Sequence, residues 1–261
     1  MNLNRRNFLH LSTMAASTGV FASLNACTPD TEAHNEELTT KLEPMTVDVV
    51  AISLKEIESR IEKAQRLLTE SKMKALVLDA GTSMKYFTGI SWWPSERTLV
   101  AIIPARGDIR YVCPAFEEPR LRELITIGKA VYAWEEDESP YQKIANAFKD
   151  CGIQFGNIGI EERLRFFILD GIRKEASHLN YVSGDPVSVS CRLIKSSTEI
   201  ALMQKANDIT VAAIKIGISR LEEGMSPHDF SSIVSNAHQQ FGASKSSPRH
   251  AICRPRHLTS T

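Results

Sequence analysis

The sequence predicts an α/β protein in which helices cover both faces of a mixed sheet. Short apolar runs that indicate buried strands alternate with amphipathic helical patterns between residues 53 and 187. A Gly107-Asp108 joint between two of these runs is typical of a hairpin, so we expect one antiparallel pair. The hydrophobic content of 43% and the charged content of 24% are those of an ordinary globular protein.

The first helix is predicted over residues 54–72 and the first strand over residues 75–78. Apolar side chains recur at helical spacing on one face of this helix, at Ile57, Ile61, Ala64, Leu67 and Leu68. The hairpin joins strands over residues 98–103 and 108–113. The alternation continues with a helix over 117–125, a strand over 130–134, a helix over 141–150, a strand over 157–160, a helix over 164–174 and a strand over 180–182.

Several function classes have no support in the sequence. The formal net charge is zero and no basic stripe indicates nucleic-acid binding. The five cysteines show no metal-knuckle spacing, no glycine-rich loop indicates a nucleotide site, and no apolar run is long enough to span a bilayer. His178, His228 and His238 lack a second ligand at metal-binding spacing. We expect them to be solvated or locally hydrogen-bonded, with His238 on the polar side of its helix.

Two capped helices follow the alternating region. Ser196 and Glu199 form a capping box at the start of a helix over residues 197–221. Ser226 and Pro227 begin a second helix, which Gly242 ends. The predicted apolar faces consist of Met203, Ala206, Thr210, Ala213, Ile214 and Gly217 in the first helix, and Phe230, Ile233, Val234, Ala237 and Phe241 in the second.

Two motifs carry a resemblance to a known family. The first is Arg192-x-Ile-Lys-Ser-x-x-Glu-Ile-x-x-Met-x-x-Ala206, and the second is Tyr86-Phe87-Thr88-Gly89 followed by Ser95-Glu96-Arg97. The first resembles the linker and first helix of the C-terminal metallopeptidase domain in the creatinase / Xaa-Pro aminopeptidase / prolidase family, and the second resembles that family's N-terminal domain. The resemblance covers residues 53–242 and implies a creatinase-type α/β domain over 53–187. It also implies that two helices of an incomplete α+β pita-bread domain follow over 188–242.

The resemblance implies hydrolysis of the peptide bond before proline by a dinuclear metal centre. In full-length relatives two Asp, one His and two Glu bridge divalent metals such as Mn, Co or Zn. No carboxylate follows Asp229 here, so we expect neither a metal site nor catalytic residues, and no activity of this chain alone. Proline-containing peptides and a second subunit are the partners implied. A non-enzymatic envelope module that binds a peptide or partner, and a fragment of a creatinase-type amidinohydrolase, remain alternatives.

The segment from Ser91 to Arg97 contains the candidate substrate contacts, Trp93 and Arg97. Two adjacent tryptophans cannot both point inward from a strand, so we expect at least one at an edge or interface. A subunit contact or a half-buried loop would explain it as well. The resemblance implies that this loop approaches a neighbouring active site, where the Arg97 guanidinium would pair with a peptide carboxylate.

The N-terminus matches an export signal. Arg5 and Arg6, followed by Asn-Phe-Leu, fit the twin-arginine pattern, and Leu24-Asn-Ala-Cys27 resembles a lipobox. We expect residues 1–26 to be removed, Cys27 to be lipidated, and residues 27–52 to form a flexible tether. The protein would then lie in the periplasm or cell envelope, anchored to the membrane. A disordered N-terminus with a chance arginine pair is the alternative.

The last segment, residues 243–261, is basic and lacks strand alternation. We expect it to be unstructured. Read one nucleotide later, codons allowed for residues 254–261 spell Gly-Pro-Ala-Thr-Ser-Leu-Pro-His, which resembles a family stretch near the metal centre. A frameshift is therefore one hypothesis for this tail, with a natural short form as the alternative.

Overall fold

The computed structural model describes residues 42–243. Six strands form one sheet, namely β1 Met73–Asp79, β2 Val100–Pro104, β3 Arg110–Pro114, β4 Ala130–Trp134, β5 Asn157–Ile160 and β6 Asn180–Ser183. The helices are α1 Leu54–Glu70, α2 Thr82–Thr88, α3 Glu118–Leu124, α4 Pro140–Asp150, α5 Phe166–Glu175, α6 Asp185–Leu193, α7 Ser197–Ser219 and α8 Pro227–Gln240. The predicted α/β class is confirmed.

The sheet is mixed, with the strand order β4-β3-β2-β1-β5-β6. Only β2 runs against its neighbours, pairing antiparallel with both β1 and β3, while the other three pairings of the sheet are parallel. The predicted hairpin is confirmed, with Val100 opposite Val112 and Gly107 in the turn at φ +92°. The carboxyl ends of β1, β5 and β6 therefore lie at the same edge of the sheet.

Two hydrophobic cores lie on opposite faces of the sheet, because successive side chains of a strand point to opposite sides. In β1, Leu76 and Leu78 belong to one core and Ala75 and Val77 to the other. The first core includes buried residues of α1, α2 and α6, and the second includes buried residues of α4 and α5. Helices thus cover both faces, as the alternation predicts.

Two helices were not predicted. The helix α2 has seven residues, too few for a helical period to be read, and it ends at Gly89 with φ +76°. The helix α6 begins with Asp185-Pro186 and buries Val187 and Cys191 in the first core. Because α6 crosses residue 187 and packs against α1, its contacts place it with the sheet domain.

The helices α7 and α8 pack against each other. Gly217 makes this contact close, since a Cβ there would lie 2.7 Å from Val234 Cγ2. His238 is buried, with Nδ1 2.9 Å from the Val234 carbonyl and Nε2 3.3 Å from Thr210 Oγ1. The local hydrogen bonding expected of His238 is confirmed. Its placement on the polar side was wrong, because the ring fills the space between the two helices.

The apolar face predicted for α7 was only partly right. Ala213 and Gly217 are buried, but Met203 is 54% exposed and Ile209 is buried instead. A second stripe of large apolar side chains, more than half exposed, runs along α7 at Ile200, Met203, Val211 and Ile218, with Leu221 just beyond the helix. At 100° per residue this stripe is centred about 130° around the helix from the one that contacts α8.

Several predictions fall on residues outside the described range. The export signal, Cys27, most of the tether and the tail beyond residue 243 are among them. No helix within residues 42–243 is both long and apolar enough to cross a membrane. Cys113, Cys151 and Cys191 are free thiols.

Candidate functional site

The candidate substrate loop, residues 91–97, connects the end of α2 to the strand β2. Trp93 is 86% exposed, whereas Trp92 is half-buried and packs against the core beneath α1. At least one of the two tryptophans was expected at an edge or interface, and Trp93 does lie at the surface. The loop therefore presents the indole of Trp93 to solvent, while the adjacent Trp92 packs the loop against the domain.

Arg97, the second predicted contact, already has partners. Its guanidinium lies 2.6 Å from Glu96 Oε1 and 2.9 Å from Glu136 Oε1, and 5.1 Å from the ring of Phe116. The hydrogen bond with Glu136 raises the pKa of Arg97 above its ordinary value. A peptide carboxylate would have to displace one of these glutamates. Exposed ion pairs contribute little net free energy, so such an exchange costs little.

An ion pair that the sequence did not predict anchors the loop. Arg165 donates to both carboxylate oxygens of Asp79, from Nε at 2.7 Å and from Nη2 at 3.0 Å. Its remaining donors reach the loop, from Nη1 to the carbonyl of Ser95 and from Nη2 to the carbonyl of Arg97 at 3.4 Å. The loop is thereby fixed to the end of the central strand β1.

A buried carboxyl lies beside this anchor. Glu161, at the end of β5, is 4% exposed, and its Oε1 accepts a hydrogen bond from the Asp79 amide at 3.3 Å. Its Oε2 is buried without a partner in the described part of the chain. Burial raises the pKa of Glu161, outweighing the Asp79 amide and the nearby Ser83 hydroxyl, which favour the charged form.

A second network joins the sheet domain to α7. Arg60 in α1 donates to Glu56 Oε1 at 2.9 Å and to the Tyr86 carbonyl at 3.0 Å, and lies 3.3 Å from Glu199 Oε1. Its guanidinium also stacks 4.2 Å from the ring centre of Tyr86. The side chain of Arg60 is only 10% exposed, so these contacts are largely shielded from water.

The capping box of α7 belongs to the same network. Ser196 Oγ accepts from the Glu199 amide and donates to Glu56 Oε1 at 2.7 Å, which confirms the box and extends it to α1. The hydrogen bond from Ser196 lowers the pKa of Glu56, and Arg60 acts in the same direction. Tyr86 also donates to the carbonyl of Cys191 at 2.8 Å. Together these contacts fix the direction in which α7 leaves the sheet domain.

The two motifs used in the sequence analysis therefore meet in space. Tyr86 of the first motif and Ser196 and Glu199 of the second belong to one network, which Arg60 bridges. The bridging residue was missed because Arg60 looks like an ordinary polar position on an amphipathic helix. The sequence did contain a signal that could have marked Asp79 as a candidate residue. It is an acidic residue directly after the apolar run 75–78, which lies in β1.

No group of three or more His, Cys, Asp or Glu side chains within residues 42–243 is arranged to hold a metal ion. The described residues therefore do not fit a dinuclear metal centre. These residues present Trp93 at the surface and fix the orientation of α7 relative to the sheet domain.

Comparison with known proteins identifies the domain. Residues 60–194 match the family model of the creatinase/prolidase N-terminal domain. An uncharacterized peptidase of Schizosaccharomyces pombe is 30% identical over 205 residues, which cover 73% of this chain and 44% of that protein. The Xaa-Pro dipeptidase of Lactobacillus delbrueckii is 24% identical, over 63% of this chain and 45% of that protein. The chain spans about half the length of the curated relatives it matches.

Solved structures share the fold. A prolidase from Thermococcus sibiricus matches with a TM-score of 0.65 at 22% identity, over 75% of this chain and 52% of that one. The dipeptidase PepE from Mycobacterium ulcerans matches with the same TM-score at 19% identity and the same coverage of both chains. Since the family model covers more than half of the chain and solved prolidase structures share its fold, this protein belongs to the creatinase/prolidase family and carries its N-terminal domain.

Proposed function

We propose that this chain contributes the peptide-recognition domain of an Xaa-Pro dipeptidase or aminopeptidase. The observation that carries the proposal is the exposed Trp93 on a loop that is tied to the end of β1. An indole held in place offers a flat apolar surface to a proline ring at little cost in conformational entropy. The family membership and the peptidase names of the relatives support the reaction class.

Hydrolysis itself is assigned to residues other than those described. The proposed reaction is metal-assisted hydrolysis of the bond before proline, but residues 42–243 offer no donor set for a metal pair. The sequence after Asp229 contains no carboxylate. We therefore expect the purified chain to release no proline from an Xaa-Pro dipeptide in the presence of Mn²⁺, Co²⁺ or Zn²⁺. Metal-dependent proline release above a blank would refute this assignment.

The exposed stripe of α7 is consistent with the helix being the start of a second domain. Ile200, Val211 and Ile218 are each more than half exposed, although α8 already covers another stripe of the same helix. An evolved surface rarely exposes such a row without a partner. This favours the peptidase proposal over a self-contained binding module.

A dimer is also proposed. The loop's resemblance to the family's subunit-contacting loop, together with the outward direction of Trp93, supports a neighbouring subunit as its target. Sedimentation of the parent chain and of Trp93→Ala tests this. The parent should be dimeric and the variant shifted toward monomer, whereas a monomeric parent chain would contradict it.

Export is proposed from the sequence alone. The pattern at Arg5 and Arg6 and the lipobox-like Cys27 support twin-arginine translocation followed by lipid anchoring. Cys27→Ala should move the protein from the membrane fraction to the soluble fraction. Replacing both arginines by lysine should keep it in the cytoplasm. Membrane association that survives Cys27→Ala would contradict the anchor.

A further inference from the structure

We propose that Arg165 is the positioning residue of the candidate substrate loop, an inference that rests on the proposed role of that loop. Residues 91–97 contain no helix or strand. Within the loop, the Arg97 amide donates to Ser95 Oγ at 3.2 Å. A segment with so little hydrogen bonding of its own needs an external anchor to hold an aromatic contact in one place.

The guanidinium of Arg165 anchors the main chain of the loop, whereas Trp92 and the ion pair of Arg97 with Glu136 hold only side chains. Nε and Nη2 bind the two oxygens of Asp79, while Nη1 and Nη2 reach the carbonyls of Ser95 and Arg97. The donors of an arginine lie in one rigid plane, so fixing one edge of the fork fixes the other. Arg165 thereby holds the main chain of the loop at a fixed position relative to β1.

Asp79 is itself held firmly, which makes the anchor rigid. The residue is 2% exposed and ends β1. Its Oδ1 accepts from the Ala80 amide at 2.8 Å, and its Oδ2 lies 3.5 Å from the Arg165 amide at the start of α5. The ring of Phe167 lies 4.9 Å from the guanidinium and limits its movement on another side.

Replacing Arg165 by lysine separates the effect of its positive charge from the effect of its planar guanidinium. A lysine at position 165 keeps the positive charge beside Asp79, but its ammonium is a single point that cannot also span two carbonyls. Arg165→Lys should therefore release the loop while it leaves the buried carboxylate paired. Arg163→Lys is the matched control, because Arg163 is exposed and lies two residues away on the same segment.

Fluorine NMR of the full chain labelled with 5-fluorotryptophan measures directly whether the environment of the loop tryptophans changes. The three tryptophans give three resonances, two of them from the loop and one from Trp134. Trp134 is buried and its indole N–H donates to the Thr98 carbonyl at 3.1 Å, so it reports whether the domain is folded. In Arg165→Lys we expect the resonances of Trp92 and Trp93 to shift beyond their linewidth and that of Trp134 to shift by less, because its partner Thr98 directly follows the loop. Arg163→Lys should move none of them.

Loop resonances that coincide in Arg165→Lys and the parent chain would overturn the proposal. If the lysine variant loses the Trp134 resonance as well, Asp79→Asn is measured, which weakens the other end of the anchor. The same selective shift is expected, and unmoved loop resonances in that folded variant would overturn the proposal too. These spectra need no peptide, so their result stands apart from any measurement of peptide binding by Trp93.

Discussion

Arg60→Met tests whether the network between the sheet domain and α7 stabilises the fold. Methionine keeps most of the apolar stem and deletes the guanidinium, which leaves Glu56 and Glu199 without their shared cation. The two carboxylates are 19% and 20% exposed, and Arg60 is 10% exposed. The network therefore lies between a surface pair, worth roughly 0–1 kcal/mol, and a buried pair, whose disruption costs roughly 3–5 kcal/mol.

We expect Arg60→Met to lower the free energy of unfolding by about 2–3 kcal/mol, which includes the lost bond to the Tyr86 carbonyl. In urea unfolding followed by circular dichroism, this corresponds to a midpoint lower by about 1 M. The matched control is Arg66→Met on the same helix, where the pair with Glu70 is 67% and 60% exposed at 3.7 Å. That variant should stay within about 0.5 kcal/mol of the parent.

A double-mutant cycle with Glu199→Gln then isolates the contact between α1 and α7. We expect a coupling energy of about 1 kcal/mol between Arg60 and Glu199. Equal midpoints for Arg60→Met and Arg66→Met, or a coupling energy near zero, would show that the network does not fix α7 to the sheet domain.

Three further predictions concern single groups. Ser196→Ala should cost about 1 kcal/mol in urea unfolding, through loss of the helix cap, and an unchanged midpoint would contradict the capping box. Glu161→Gln should stabilise the chain increasingly as the pH rises above 4.5, measured as the difference in melting temperature. The Glu161 carboxyl keeps its proton to higher pH in the folded chain than in the unfolded chain, so the parent loses stability as the pH rises and the variant does not. A difference in melting temperature that stays constant with pH would contradict this. Cys113 and Cys191 should resist a thiol reagent until the chain unfolds, because burial raises the pKa of both thiols, to about 12 for Cys113. Labelling of either in the native state would refute it.

The sheet could be predicted because its signals are local. Apolar runs such as residues 75–78 and the Gly107-Asp108 turn record burial and chain reversal within a few positions. The helix α2 could not be predicted in the same way, because its seven residues hold fewer than two turns. Its position is decided by contacts of Met84 and Phe87 with the core, which a single sequence does not reveal.

In the candidate site, too, only the features with local signals could be predicted from the sequence. Two adjacent tryptophans predict that at least one lies at an edge or interface, but they do not say which one. The partners of Arg97 could not be predicted either, since Glu136 lies 39 residues further along the chain. The anchor between Asp79 and Arg165 joins residues 86 positions apart. Interactions over such separations depend on the strand order of the sheet, so they become visible only in the folded structure.

Equilibrium dialysis against Ala-Pro, followed by measurement of intact dipeptide and free proline, tests the central claim most directly. With Mn²⁺ present, the parent chain should retain the dipeptide, Trp93→Ala should retain less, and the dipeptide should be recovered uncleaved. Release of proline by the chain would contradict the assignment of hydrolysis to other residues. Equal retention by the parent and Trp93→Ala, or no retention by either, would contradict the role of the loop in peptide recognition.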